Sequence, residues 1–172
     1  MKRGTTMKKF LATTALAIMG TSVAFAGNTN IQGNVQSRCS IVTETSGVYG
    51  NPTADKLSTL VSDSGVLPII RVDVIQADSY KVKITWPDSF SSSPALTDSV
   101  VWTGEVEVSA VSDANMSSYE TNKVEYNNHT EFDLVLSGST WFKVSSTALY
   151  GSTKSFPGGV YTAVVTSECI PK

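Results

Sequence analysis

Tyr80-Lys81-Val82-Lys83-Ile84-Thr85-Trp86, stopped by Pro87-Asp88, is the stretch that decides the fold class. Tyr80, Val82, Ile84 and Trp86 fall at a spacing of two, with Lys81, Lys83 and Thr85 between them. Side chains alternate across a strand, so one face of this run is buried and the other is wet. A proline cannot donate to a strand ladder, and Pro-Asp is turn-forming, so the strand ends there.

The same period recurs on both sides. Val100, Trp102, Val106, Val108 and Ala110 form one face, with Glu105 and Glu107 opposite. Phe132, Leu134 and Leu136 repeat it up to Ser137-Gly138. Val66 to Ile75 is more continuously apolar, with Ile70, Val72 and Val74 on one face and Arg71 and Asp73 on the other. It reads as a central strand entered past Pro68. Ile31 to Thr43 reads as the first strand, with Ile31, Gly33, Val35, Cys39 and Ile41 on one face. Gly159 to Thr166 reads as the last, with Tyr161, Ala163 and Val165 opposite Val160 and Val164. Turn-forming clusters separate these runs: Gly47 to Pro52, Asp88 to Pro94, Asp113 to Ser118, Asn127-Asn128 and Phe156 to Gly159. The one helical candidate is Thr53 to Val61, where Leu57, Leu60 and Val61 share a face. About seven short strands at such spacing predict an all-β chain, an immunoglobulin-like antiparallel β-sandwich.

The amino terminus has a different character. Lys2, Arg3, Lys8 and Lys9, with no acid, precede an apolar stretch from Phe10 to Met19, and small residues lead to Ala24-Phe25-Ala26. That is the pattern of a cleaved signal peptide over residues 1–26, leaving a single domain over residues 27–172 that starts at Gly27. Removal of those four basic residues leaves nine Lys/Arg against 15 Asp/Glu, a net charge near −6. No basic patch survives to capture nucleic acid, and no later run approaches a membrane span. Export places Cys39 and Cys169, the two cysteines of the chain, where disulfides persist, so they are expected to be joined.

Reactive chemistry is sparse. His129 is the single histidine and reads as a solvated turn residue in Asn127-Asn128-His129-Thr130. Without a second histidine or a free thiol, zinc sites and nucleophilic triads lack members. Glu105 and Glu107 lie on one face, in reach of a sugar or cation, but a solvated outer face explains them better. Trp86 and Trp102 read as core, and Trp141-Phe142 either begins a strand or caps an exposed patch. No phosphate cradle or calcium loop occurs, so neither enzyme activity, a metal nor a cofactor is expected.

The early strand Ile31-Gln-Gly33-Asn-Val35-Gln-Ser-Arg-Cys39-Ser-Ile41 and the late run Phe156-Pro-Gly-Gly159-Val-Tyr161-Thr-Ala-Val-Val-Thr166, in a Ser/Thr-rich acidic chain behind a signal peptide, resemble bacterial fimbrial subunits. The likeness is to spore-coat-U-like subunits of chaperone–usher pili. It implies a sandwich lacking one strand, filled first by a periplasmic chaperone and then by the amino-terminal extension of the next copy in a homo-polymer. Such a subunit passes through the periplasm to the cell surface, where an adhesive one meets a host or surface receptor. Ile31, Gly33 and Val35 are the candidate donor set, main-chain pairing and alternate side chains being what holds an added strand. Alternatively, Ile31 to Ile41 is one continuous first strand of a closed domain, an exported monomeric ligand-binding or inhibitor sandwich.

Overall fold

The computed structural model describes Gln32, residues 38–151 and residues 154–172. The chain divides at Val35/Gln36 into two units, and every described strand lies in the second. Ten strands follow in order: β1 (Cys39–Thr45), β2 (Gly50–Thr53), β3 (Lys56–Ser58), β4 (Ile69–Val74), β5 (Tyr80–Thr85), β6 (Val100–Val111), β7 (Val124–Glu125), β8 (His129–Leu134), β9 (Gly138–Tyr150) and β10 (Thr166–Pro171). Two short 3₁₀ segments, Val61–Asp63 and Ala114–Tyr119, interrupt them.

The strands form two antiparallel sheets packed face to face. One runs β1-β4-β9-β3-β2, with β6 along the other edge of β9, and the second runs β10-β5-β8-β7. The deciding stretch behaves as its pattern dictates. Val82 and Ile84 are fully buried, Lys81 and Lys83 point outward, and β5 lies between β10 and β8. Lys83 pairs with Glu168 and Lys81 with Glu131 on that outer face. β4 is central as expected, buried through Ile70, Val72 and Val74, with β1 on one edge and β9 on the other. Phe132 of β8 meets Phe142 of β9 across the sandwich at 4.6 Å between ring centroids. Two fully buried aromatics in such contact are worth more than their area alone.

The structure departs from the sequence reading in several places. Among the described residues the strands number ten, the additions including the short β2, β3 and β7 and the long β9. Thr53 to Val61 is no helix: β2 and β3 pair as a hairpin over its first part, and Leu57 is buried against the sheet. Three apolar residues cannot hold two isolated helical turns, whereas β3 gains a ladder to β9. β9 is the longest strand, and its buried set is Thr140, Phe142, Val144, Ser146, Ala148 and Tyr150. In β6 a register shift between Val108 and Ala110 turns Ala110 outward and brings Val111 onto the core. The last strand begins at Thr166, later than expected, and within residues 159–165 the pairing is an isolated bridge between Ser92 and Thr162. Its two faces are nonetheless as read, with Val160 and Val164 exposed and Tyr161, Ala163 and Val165 half-buried.

Candidate functional site

A sandwich of two sheets has two lateral openings, and they are bridged here by different chemistry. On one side the edge strands β1 and β10 face each other, and Cys39 and Cys169 are bonded across the gap with Cα atoms 6.2 Å apart. Cys39 is opposite Val74 and Cys169 opposite Val82, both buried, so the bridge lies on the inner faces and packs against the core. It joins residues 130 apart, and loop closure of that length removes roughly 4–5 kcal/mol of unfolded-chain entropy.

Beyond the bridge, the same side opens. A cavity of about 300 Å³ is bordered by Thr43, Gly47 and Tyr49 on one bank and Ala163, Val165 and Ser167 on the other. A second, of about 390 Å³, shares Gly47, Tyr49 and Ala163 with it and continues to Leu57 and Tyr161. Together they form one lateral groove. Its floor includes a polar pair, Tyr49 and Ser146, whose hydroxyls are 2.8 Å apart. Burial pushes the Tyr49 phenol above its ordinary pKa, the Ser146 hydrogen bond opposing the shift. Among the described residues β10 pairs with β5 alone and β1 with β4 alone, so the edges bordering this side have no strand partner.

The chain from Phe156 to Val165 forms the outer bank. Phe156 and Tyr161 pack on Phe90 at 6.0 and 5.1 Å between centroids, and Phe90 rests on Trp102 at 4.6 Å. The Ser91 and Ser92 amides donate to the Thr162 carbonyl, and the Thr162 amide donates back to Ser92. This aromatic cluster lies outside the main core; Trp102 and Tyr161 stood in period-two runs, but Phe90 and Phe156, which join them, come from loops, so the pattern did not reveal the cluster.

On the opposite side, Lys123 bridges β6 and β7. Its Nζ reaches Glu120 at 2.8 Å, Glu125 at 2.9 Å and Glu105 at 3.6 Å, and donates to the Val106 carbonyl at 3.1 Å. Burial opposes its charge, yet the hydrogen bonds to Glu120 and Glu125 hold its pKa above the ordinary lysine range. For Glu120 burial likewise opposes ionisation, but Lys123 and the Val108 amide hold it below the carboxylate range.

The residues singled out in the sequence are dispersed. Cys39 and Cys169 come together as expected. Ile31, Gly33 and Val35, and residues 1–26, lie outside the described residues. His129 opens β8 instead of sitting in a solvated turn, because the turn falls one residue earlier. The Tyr126 amide donates to the His129 carbonyl, and the two rings stack at 4.4 Å. Glu107 faces outward to Lys143 at 2.9 Å, and Glu105 outward to Lys123. Trp86 is buried and Trp102 half-buried in the aromatic cluster, while Trp141-Phe142 lies within β9 with Phe142 in the core. Among the described residues no cluster of His, Cys, Asp or Glu fits a metal ion, and no helix is long and apolar enough to cross a membrane.

Known protein families and curated proteins offer no match to this chain.

Proposed function

We propose that the chain is an exported structural subunit of a surface fimbria, assembled by strand donation between copies. What supports this reading is the lateral groove: two sheet edges with no described strand partner border an inter-sheet gap with room for side chains. An unpaired edge is a template for another strand, and main-chain bonds with alternate side chains in pockets are how such a strand is held.

The donor is residues 27–36 of the next copy, carrying Ile31, Gly33 and Val35, and a periplasmic chaperone holds the groove until that copy arrives. The disulfide sets where donation takes place. A strand lying between two others needs them roughly 9.5 Å apart, twice the inter-strand spacing. The 6.2 Å at Cys39 and Cys169 excludes a strand there, so the donor lies beyond the bridge, between residues 43–49 and 159–167.

The same 6.2 Å favours a second reading, an exported monomeric ligand-binding or inhibitor sandwich closed by its disulfide. Deleting Gly27 to Gln36 separates the two. Strand donation predicts a soluble subunit that binds its chaperone and forms no polymer, and Gly33→Val should impair assembly by crowding the groove. A deletion that unfolds the monomer supports the closed domain.

A further inference from the structure

The opening bridged by Lys123 holds a further small cavity, of about 240 Å³, bordered by Trp86, Gly104, Glu105, Glu125, Tyr126 and Thr130. From this cavity we infer a binding site for a single neutral sugar ring, such as the terminal unit of a glycan, independent of strand donation.

Its construction points that way. Thr130 is fully buried on the inner face of β8, and its Oγ1 finds no hydrogen-bond partner in the structure. A buried hydroxyl left unpaired is costly, and one bordering a cavity is a donor and acceptor held ready for an incoming hydroxyl. Glu125 stands directly opposite Thr130 across the β7–β8 ladder, which puts both on one face. The floor beside them is the Trp86 indole packed on the bare backbone of Gly104, where an added Cβ would come within 2.4 Å of the ring. The rim is Tyr126, 48% exposed and backed by the His129 ring, an aromatic face presented to solvent.

Charge narrows the ligand. Glu105 and Glu125 at the rim repel an anion. A cation would have to displace Lys123, whose ammonium already holds both carboxylates. What remains attractive is a neutral ring, with hydroxyls for the carboxylates and Thr130 and an apolar C–H face for Tyr126.

The test is amide and indole chemical-shift mapping on the intact secreted protein, titrated with glucose, galactose, mannose and N-acetylglucosamine, and separately with glycans ending in each. The expected result is saturable shifts at the Trp86 indole, Tyr126 and Thr130 with at least one free sugar, or with its glycan alone if the next unit contributes. Thr130→Val keeps the shape and removes the unpaired hydroxyl, so it should leave thermal stability equal or higher while weakening binding about tenfold, the worth of one hydrogen bond. Tyr126→Ala should weaken binding without unfolding the protein. No shift with any sugar or glycan, a response to choline in place of sugars, or unchanged affinity in Thr130→Val overturns the site.

Discussion

Single residues carry much of what spans the two openings of the sandwich. Replacing Cys39 or Cys169 with Ser should cost about 2–5 kcal/mol, as for native disulfides in small secreted domains. Denaturant midpoints of each variant against wild type check this, and wild type in reductant should fall to the same value. Gly104 matters because Trp86 packs where a side chain would stand. Gly104→Ala puts a methyl within 2.4 Å of the Trp86 ring and 2.8 Å of the Ser145 carbonyl, so overpacking should cost about 1–3 kcal/mol, read from the melting transition. Lys123 offers a pH test. Glu120 titrates below its ordinary value when folded, so its contribution is present above the unfolded carboxylate range and is lost as pH falls through the folded value. Lys123 titrates above its ordinary value, so its contribution is complete below the unfolded lysine range and is lost as pH rises through the folded value. Lys123→Met should therefore destabilise by about 1–3 kcal/mol near neutrality, between the worth of an exposed pair and a buried one. That difference should shrink in acid below about pH 4 and in alkali above about pH 10. A difference that is flat with pH removes the electrostatic account of this clamp.

At the scale of elements, β9 holds the first sheet together, flanked by β4 and β3 on one edge and β6 on the other. Phe142→Ala should cost about 3–5 kcal/mol, since Phe142 is fully buried against Phe132, and equilibrium unfolding measures it. Yet this strand was the least legible in the sequence. Its inward positions alternate Thr140, Phe142, Val144, Ser146, Ala148 and Tyr150, so small and hydroxyl residues stand where an apolar count looks for Val or Ile. Period two was present; hydrophobicity was diluted. Ser146 is buried because its amide donates to the Thr59 hydroxyl and its own hydroxyl pairs with Tyr49, a solution that only tertiary partners supply. β5 and β4 were legible because burial on one face or both writes itself directly into apolar spacing. The last strand was misplaced by several residues for the opposite reason. Tyr161, Ala163 and Val165 alternate properly, but the bank they form is held by side-chain packing on Phe90 and by the bridge at Thr162, without a continuous ladder.

Over the whole molecule, the sandwich and the Cys39–Cys169 bond followed from alternation, turn spacing and the presence of two cysteines in the chain. The groove did not, because it depends on how far apart two edges lie beyond the bond, and no residue pattern encodes that separation. Strand donation is the central proposal about this molecule, and the state of the protein as its cells produce it tests it most directly. Wild-type protein taken from producing cells and run in detergent without heating should give a ladder of multiples that collapses to one band on boiling. Amide exchange at residues 163–165, which lie ahead of the β5–β10 ladder, should be slow in the ladder of multiples and fast in the isolated subunit, because a donated strand would protect that edge. A stable monomer made without any chaperone, with those amides already protected, would contradict strand donation and leave the closed sandwich in its place.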